Sequence, residues 1–182
     1  MAQTRADGDV SHATLVLGGA RSGKSRHAEA LATATGLRRV YVATAVITDD
    51  DMAARVERHR ATRGDGWVTV EEPLRLVDAL RRHAAADACV LVDCLTVWLA
   101  SLLWHGMDPA PEVAALAAAV GDLPGPVVLV ASEVGLGVHP ETPLGRAFRD
   151  QQGACNQAVA ATCDRVLLMV AGLPLTVKPA PG

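Results

Sequence analysis

Short apolar runs alternate with amphipathic segments along most of the chain. Residues 13–17, 88–93 and 126–131 are apolar at nearly every position, which is typical of parallel strands covered on both faces. Segments in which apolar residues recur every three or four positions follow these runs and predict helices. The alternation predicts a three-layer α/β domain around a mostly parallel sheet.

Helical spacing or capping residues mark six segments: 24–34, 49–64, 74–80, 95–103, 112–120 and 144–162. Four further strands are predicted at 39–45, 67–70, 165–170 and 175–178. The linker between the last two strands, residues 172–174, is short, which favours an antiparallel hairpin at the carboxyl end.

The length of 182 residues and the hydrophobic content of 50% suit one well-buried domain. We expect this domain to span residues 13–178, with frayed tails at 1–12 and 179–182. The formal net charge of −3 provides no overall basic field for a nucleic acid or an anionic lipid surface. We therefore expect no nucleic-acid partner.

Residues 1–12 are polar and lack the apolar stretch of a signal peptide. No apolar run approaches the roughly 18 residues of a membrane-spanning helix. We expect a soluble, cytoplasmic protein without membrane insertion. The four cysteines have no Cys-x-x-Cys spacing, and at least two lie in apolar segments, so we expect reduced core thiols.

A glycine-rich segment connects the first predicted strand to the first predicted helix. Its spacing, G-x-x-x-x-G-K-S, is that of a phosphate loop: backbone amides surround the phosphates, the lysine reaches the outer phosphates, and the serine can bind Mg²⁺. The predicted nucleotide-binding residues here are Gly18, Gly19, Ala20, Arg21, Ser22, Gly23, Lys24 and Ser25. The flanking strand and helix are the context that this motif requires.

Three further segments carry candidate chemistry. Asp93 ends a buried strand and is a candidate Mg²⁺ ligand beside Ser25, or else an N-cap for the next helix. On the predicted helix at 49–64, His59 lies among four arginines, which suits either a neutral nucleophile with a phosphate-binding face or a solvated charged surface. Residues 132–137 follow a buried strand, so they form either part of a ligand edge or a plain turn.

Glu71 and Glu72 lie at a strand-to-helix junction. A carboxylate there either accepts hydrogen bonds from a ribose or base, or favours the start of the helix. The pair by itself does not distinguish between these roles.

Several segments, taken in order, resemble one family: the bifunctional adenosylcobinamide kinase and adenosylcobinamide-phosphate guanylyltransferase of cobalamin biosynthesis. The resemblance extends from Gly18 to Lys178. The segments that carry it are GGARSGKSR at 18–26, YVATA at 41–45, 50–60, VEEP at 70–73, VDCLT at 92–96, EVGLGVHPE at 133–141 and AFRD at 147–150. It implies a P-loop NTPase fold of the RecA-like kind.

The resemblance implies two reactions. A kinase step phosphorylates adenosylcobinamide with ATP or GTP, using Lys24 and Mg²⁺. In the second step the imidazole of His59 attacks the α-phosphate of GTP, pyrophosphate leaves, and GMP passes to adenosylcobinamide phosphate. The remaining implied nucleotide contacts are Ala43, Thr44, Ala45, Arg60, Ala61, Thr62, Arg63, Glu71 and Asp93.

The resemblance also implies a homo-oligomer, with a trimer as the expected state. One departure is Ser132, where the family pattern has asparagine, and another is Arg58, where some relatives carry a second histidine. Two other interpretations stay open: a phosphate-loop small-molecule kinase whose arginine-rich segment binds the phosphoacceptor, and a nucleotide-binding regulatory module without turnover.

Overall fold

The computed structural model describes residues 11–45 and 64–179. Its strands are β1 (Ala13–Gly18), β2 (Arg38–Ala43), β3 (Trp67–Glu71), β4 (Ala88–Asp93), β5 (Val127–Ser132), β6 (Arg165–Val170) and β7 (Leu173–Lys178). Its helices are α1 (Lys24–Ala34), α2 (Leu76–His83), α3 (Leu95–Trp104), α4 (Pro109–Val120) and α5 (Pro143–Thr162).

The seven strands form one sheet in the order β3-β2-β4-β5-β1-β6-β7. Every neighbouring pair is parallel except β6 and β7, which form an antiparallel hairpin. The predicted mostly parallel sheet and carboxyl-terminal hairpin are confirmed. Because the first six strands run the same way, their carboxyl ends meet at one edge of the sheet.

Two apolar clusters cover the two faces of the sheet. On one face, Ala28 and Ala32 of α1 pack with strand residues such as Val16 and Leu91. On the other, residues of α2, α3, α4 and α5 pack with strand residues such as Leu15 and Val92. These central strand residues have no solvent exposure, which explains why their sequence is continuously apolar rather than alternating.

Two predicted helix starts were wrong, and in both cases a side chain determines the boundary. Helix α2 begins at Leu76, not at 74, because the Glu72 carboxylate accepts hydrogen bonds from the amides of Leu74 and Arg75 and holds them in a turn. Helix α4 begins three residues earlier than predicted, at Pro109, because the Asp108 side chain caps the amide of Ala110.

Two strand boundaries also differ from the prediction. Strand β2 ends at Ala43, two residues before the predicted end. Strand β7 begins at Leu173 because the hairpin turns at Ala171 and Gly172, which have φ angles of 52° and 84°. Two consecutive positive φ angles define the tight turn that matches strand twist, so the chain needs no longer linker.

The predicted helix over 49–64 lies outside the described residues, apart from Gly64. Cys89, Cys155 and Cys163 are buried and Cys94 is half-buried, and all four are free thiols, as expected. In the part of the chain that the structure describes, no helix is long and apolar enough to cross a bilayer.

Lys178 fastens the edge strand β7 to the end of α5. Its ammonium group donates hydrogen bonds to the backbone carbonyl oxygens of Ala160, Ala161 and Cys163. The carbonyl groups of the last helical turn have no partner within the helix, and the helix dipole makes this end negative. One cation therefore satisfies several acceptors at once.

We expect Lys178→Met to lower the free energy of unfolding by about 2 kcal/mol, because hydrogen bonds to a charged group are worth roughly 1.5–3 kcal/mol. Urea unfolding measures this change. Thr176→Ala, on the same exposed strand, is the control and should stay within about 0.5 kcal/mol of the unaltered protein. Equal stability of both variants would contradict the role of Lys178.

Candidate nucleotide-binding site

The phosphate loop lies between the interior strand β1, which ends at Gly18, and α1, which begins at Lys24. Gly23 has a φ angle of 91°, a left-handed conformation that strongly favours glycine, and its carbonyl accepts the amide of His27 at 3.0 Å. The amide of Ser22 bonds the carbonyl of Gly19 at 3.3 Å. The loop thus turns tightly and delivers its amides to the positive end of α1.

Gly18 lies in close contact with two neighbouring segments. A side-chain carbon at this position would overlap the Ser22 hydroxyl and would lie 3.0 Å from the carbonyl oxygen of Met169 on β6. At Gly19, in contrast, such a carbon would meet nothing within 4 Å. Packing therefore requires a glycine at position 18 but not at position 19.

Lys24 and Ser25 form the first turn of α1. The Lys24 ammonium donates to the carbonyl oxygen of Gly19 at 3.1 Å, so its side chain reaches back across the loop. Both residues are half-buried. The hydrogen bond itself is exposed to solvent. Because an ammonium group has three donors, Lys24 keeps donors for a phosphate.

Asp93 lies at the carboxyl end of β4, on the same edge as the loop. The hydroxyl of Tyr41 donates to its Oδ2 at 3.2 Å. The Tyr41 ring in turn meets Trp67 edge to face, with 6.1 Å between the ring centroids. The Asp93 carboxylate is thus oriented by a buried tyrosine on the neighbouring strand, a contact that the sequence did not reveal.

The strand register brings three predicted site residues together. Ala43 at the end of β2 pairs with Asp93 on one side and with Glu71 on the other. Glu71 is exposed at this edge, and Glu72 bonds the amides of the turn before α2. Glu72 thus has a structural role, and the nucleotide contact that the resemblance implies for Glu71 stays a prediction.

Thr44 directly follows β2 and is fully buried. Its hydroxyl donates to the carbonyl oxygen of Cys94 at 2.7 Å and accepts the amide of Cys94 at 2.9 Å. Thr44 therefore holds the residue that follows Asp93. This role was missed from sequence, because threonine in a β-branched strand has no signature that separates it from its neighbours.

The environment of Cys94 shifts the pKa of its thiol. Burial raises this pKa above the ordinary value and the Asp93 carboxylate raises it further, while hydrogen bonds from the backbone of Val97 and Thr96, and the charge of Lys24, lower it by less. A raised pKa keeps the sulfur protonated at neutral pH, so Cys94 offers no thiolate nucleophile.

His59, Arg60, Ala61, Thr62 and Arg63 lie outside the described residues, and their predicted roles stay predictions. The described chain stops at Ala45, two residues beyond the end of β2, and resumes at Gly64. Ala45 thus lies two residues beyond the strand end where Ala43, Glu71 and Asp93 are in register.

A cleft of about 410 Å³ opens on the other side of the phosphate loop. One wall consists of Gly19, Ala20, Arg21 and Ser22, and the other consists of Leu168, Met169, Val170 and Ala171; Glu133 and Leu136 complete the lining. Sequence reasoning placed Glu133 at this edge without assigning it a role, and it did not associate the end of β6 with the site.

A glycine-rich loop between an interior parallel strand and the first helix of such a sheet defines a P-loop nucleotide-binding protein. Solved structures agree at the level of the fold. The flagellar accessory protein FlaH from Methanocaldococcus jannaschii has a TM-score of 0.56 and 12% identity, over 94% of this chain and 80% of that one. An ATPase from a bacterial type III secretion system has a TM-score of 0.52 and 10% identity, over 92% of this chain and 57% of that one.

Sequence comparison is more specific. Residues 14–177 match the family of cobinamide kinase / cobinamide phosphate guanyltransferase, and the chain belongs to that family. It is 49% identical over 170 residues to the bifunctional adenosylcobalamin biosynthesis protein CobP of Pseudomonas aeruginosa, which covers 92% of this chain and 98% of the relative. It is 41% identical over 179 residues to the corresponding protein CobU of Escherichia coli, covering 90% and 98%. The resemblance seen in the sequence is confirmed.

We expect Gly18→Ala to lower the free energy of unfolding by about 1–3 kcal/mol, because the added methyl group overpacks against Ser22 and the Met169 carbonyl. Gly19→Ala is the matched variant and should stay within about 0.5 kcal/mol, since its methyl group enters open space. Chemical denaturation of both variants tests this. Similar losses at the two positions would show that the close contact at Gly18 does not constrain the loop.

Proposed function

We propose that this chain is a bifunctional enzyme that phosphorylates adenosylcobinamide with ATP or GTP and then transfers GMP from GTP to the product. The observation that carries the proposal is an intact phosphate loop at the end of β1, within a family match that spans residues 14–177. The kinase and guanylyltransferase steps are those that the family description names.

In the kinase step, the amides of residues 18–23 bind the phosphates and Lys24 neutralises charge that develops on the transferred group. Ser25 and Asp93 would hold Mg²⁺, which supplies charge neutralisation between the phosphates. Mg²⁺ accepts one or two protein oxygens together with phosphate oxygens and water, so a hydroxyl and a carboxylate suit it. Among residues 11–45 and 64–179, no group of three or more His, Cys, Asp or Glu side chains forms an alternative metal site.

In the guanylyl step, His59 is the proposed nucleophile. Its imidazole nitrogen bonds to the α-phosphorus of GTP as the bond to the pyrophosphate oxygen breaks. A phosphate oxygen of adenosylcobinamide phosphate then displaces the histidine and yields adenosylcobinamide-GDP. Thr44 contributes to this nucleotide site by holding the backbone of Cys94. The other proposed contacts around the nucleotide are Ala43, Ala45, Arg60, Ala61, Thr62, Arg63, Glu71 and Asp93.

The neighbouring strand ends β2, β3 and β4 support this assignment. They bring Ala43, Glu71 and Asp93 into one register, although 50 residues separate the first from the last. Residues 46–63, which include His59, follow Ala45 directly in the chain. A nucleotide bound at this edge would therefore be close in sequence to the proposed nucleophile. The single domain over residues 13–178, with short tails, and the cytoplasmic location remain part of the proposal.

We expect incubation with GTP and Mg²⁺ to add the mass of one GMP to the intact chain, because the phosphoramidate bond to His59 is covalent. His59→Ala should lose the adduct, whereas His83→Ala, on helix α2, should keep it. Intact-mass spectrometry before and after mild acid measures the adduct and its acid lability. Phosphoryl transfer without any adduct would favour a simple phosphate-loop kinase instead, and nucleotide binding without either product would favour a regulatory module.

We also propose that the chain forms a trimer, as the family resemblance implies. An exposed apolar surface on the terminal hairpin supports self-association. Val170 and Leu173 form a direct cross-strand pair and are 55% and 72% exposed, and Leu175 beside them is 57% exposed. Such an edge strand is a ready surface for association with another chain.

We expect light scattering to give three times the mass of one 18.9 kDa chain in solution. Leu175→Glu should shift the protein toward the single-chain mass, because a carboxylate in a dry interface is costly. Val68→Glu, at the opposite edge of the sheet, should leave the trimer intact. A monomeric unaltered protein would contradict the assembly.

A further inference from the structure

We propose that the cleft beside the phosphate loop holds the hydroxyl-bearing arm of the phosphoryl acceptor adenosylcobinamide, and that Glu133 is the catalytic residue that accepts the hydroxyl proton. The inference rests on the proposed kinase step. It assigns the acceptor to the side of the loop that faces β6, away from the edge formed by Ala43, Glu71 and Asp93.

The position of the cleft carries the first part of the argument. Residues 19–22 form one of its walls. Lys24, which reaches the outer phosphates in a phosphate loop, donates to the carbonyl of Gly19 at 3.1 Å and therefore lies next to this wall. A small group in the cleft would therefore lie beside the terminal phosphate of a bound nucleotide. No other element of the described chain presents a carboxylate in this lining.

The walls of the cleft suit a short arm with apolar carbons and one polar end. Leu136, Leu168 and Val170 provide apolar surface, and Glu133 provides the charged group. The only other charged side chain in the lining is Arg21, which is exposed. The volume of about 410 Å³ admits the arm but is small for a macrocycle, so the corrin ring would remain outside.

Hydrogen bonds hold Glu133 at both its backbone and its side chain. Its backbone amide donates to the carbonyl of Gly18 at 3.1 Å, at the point where the phosphate loop begins. The amide of Gly135 donates to its Oε1 at 2.7 Å, which orients the side chain. An anchored carboxylate with its second oxygen available is the arrangement that proton acceptance needs.

A buried polar network fixes the residue before Glu133. The amide of Ser132 donates to the Thr96 hydroxyl at 2.7 Å, and its carbonyl accepts from the Asn156 side chain at 3.2 Å. Asn156 in turn accepts from Gln152, a side chain with no solvent exposure, at 2.8 Å. Two helices therefore hold the end of β5, and a preorganised position lowers the cost of reaching the reactive geometry.

The proposed step balances without a further reactant. The acceptor oxygen bonds to the γ-phosphorus, the bond from that phosphorus to the bridging oxygen breaks, and the nucleoside diphosphate leaves. The hydroxyl proton passes to Glu133 and then to solvent. Asp93 is less suited to this task, because the Tyr41 hydroxyl occupies its Oδ2 and the carboxylate is assigned to Mg²⁺.

The test compares Glu133→Gln with Glu141→Gln in the full chain, using adenosylcobinamide, ATP and Mg²⁺. Glutamine can still accept the Gly135 amide, so the change removes proton acceptance and charge while keeping the anchoring contact. We expect kcat of phosphoryl transfer to fall by about 100-fold or more at Glu133. Glu141, whose backbone carbonyl alone is bonded by Arg146, should show no change.

Three further readouts separate a role in proton acceptance from a structural role. The nucleotide dissociation constant of Glu133→Gln should stay within about twofold, and its melting temperature and GMP adduct should match those of the unaltered protein. A kcat within threefold of the unaltered value would overturn the assignment. So would a large loss of nucleotide affinity with unchanged kcat, because the cleft would then hold the nucleotide instead.

A second pair of variants tests the cleft itself without altering Glu133. Leu136 and Val138 are both strongly exposed in the same loop, but only Leu136 lines the cleft. We expect Leu136→Glu to raise KM for adenosylcobinamide about tenfold or more and Val138→Glu to leave it unchanged. Equal KM values would overturn the acceptor site, even if Glu133→Gln does not fold.

Failure of the proposed kinase function can be distinguished from failure of the inference about the cleft. If the unaltered protein transfers no phosphoryl group to adenosylcobinamide, the kinase function fails and the role of Glu133 fails with it. If the unaltered protein is active and the variants are unimpaired, only the inference about the cleft is overturned.

Discussion

The close contact at Gly18 is the constraint on which the rest of the site depends. Strand β1 ends there, flanked by β5 and β6, and there is no room for a side chain between the Ser22 hydroxyl and the Met169 carbonyl. The carbonyl of Gly18 also accepts the amide of Glu133. One backbone position thus connects the phosphate loop, the end of β5 and the end of β6, and it sets the geometry of the loop and of the adjoining cleft.

The parallel sheet turns distant sequence positions into neighbours. Parallel strands that share a register deliver their last residues to one edge, and polar side chains then hold those ends in place. Thr44 binds both backbone groups of Cys94, Tyr41 orients Asp93, and the pair Thr96 and Asn156 secures Ser132. These contacts restrict the movement of the strand ends that carry the residues proposed to bind substrate.

The Ser132 position illustrates how a departure from the family pattern can be interpreted. Its backbone amide and carbonyl make the contacts that position Glu133, and these contacts do not depend on the identity of its side chain. Serine in place of asparagine is therefore compatible with the same end of β5. The buried Gln152 and Asn156 supply the polar groups from helix α5 instead.

Local sequence determined the layered α/β architecture, the phosphate loop and the terminal hairpin, because apolar periodicity and glycine spacing act over a few residues. It did not determine the starts of α2 and α4, where the carboxylates of Glu72 and Asp108 accept hydrogen bonds from backbone amides and so set the first helical residue. Only the tertiary structure buried Thr44, showed Glu72 in the turn before α2 and placed Glu133 in a cleft with residues of β6. Those outcomes depend on strand order and register, and a linear chain does not reveal which of its strands will become neighbours.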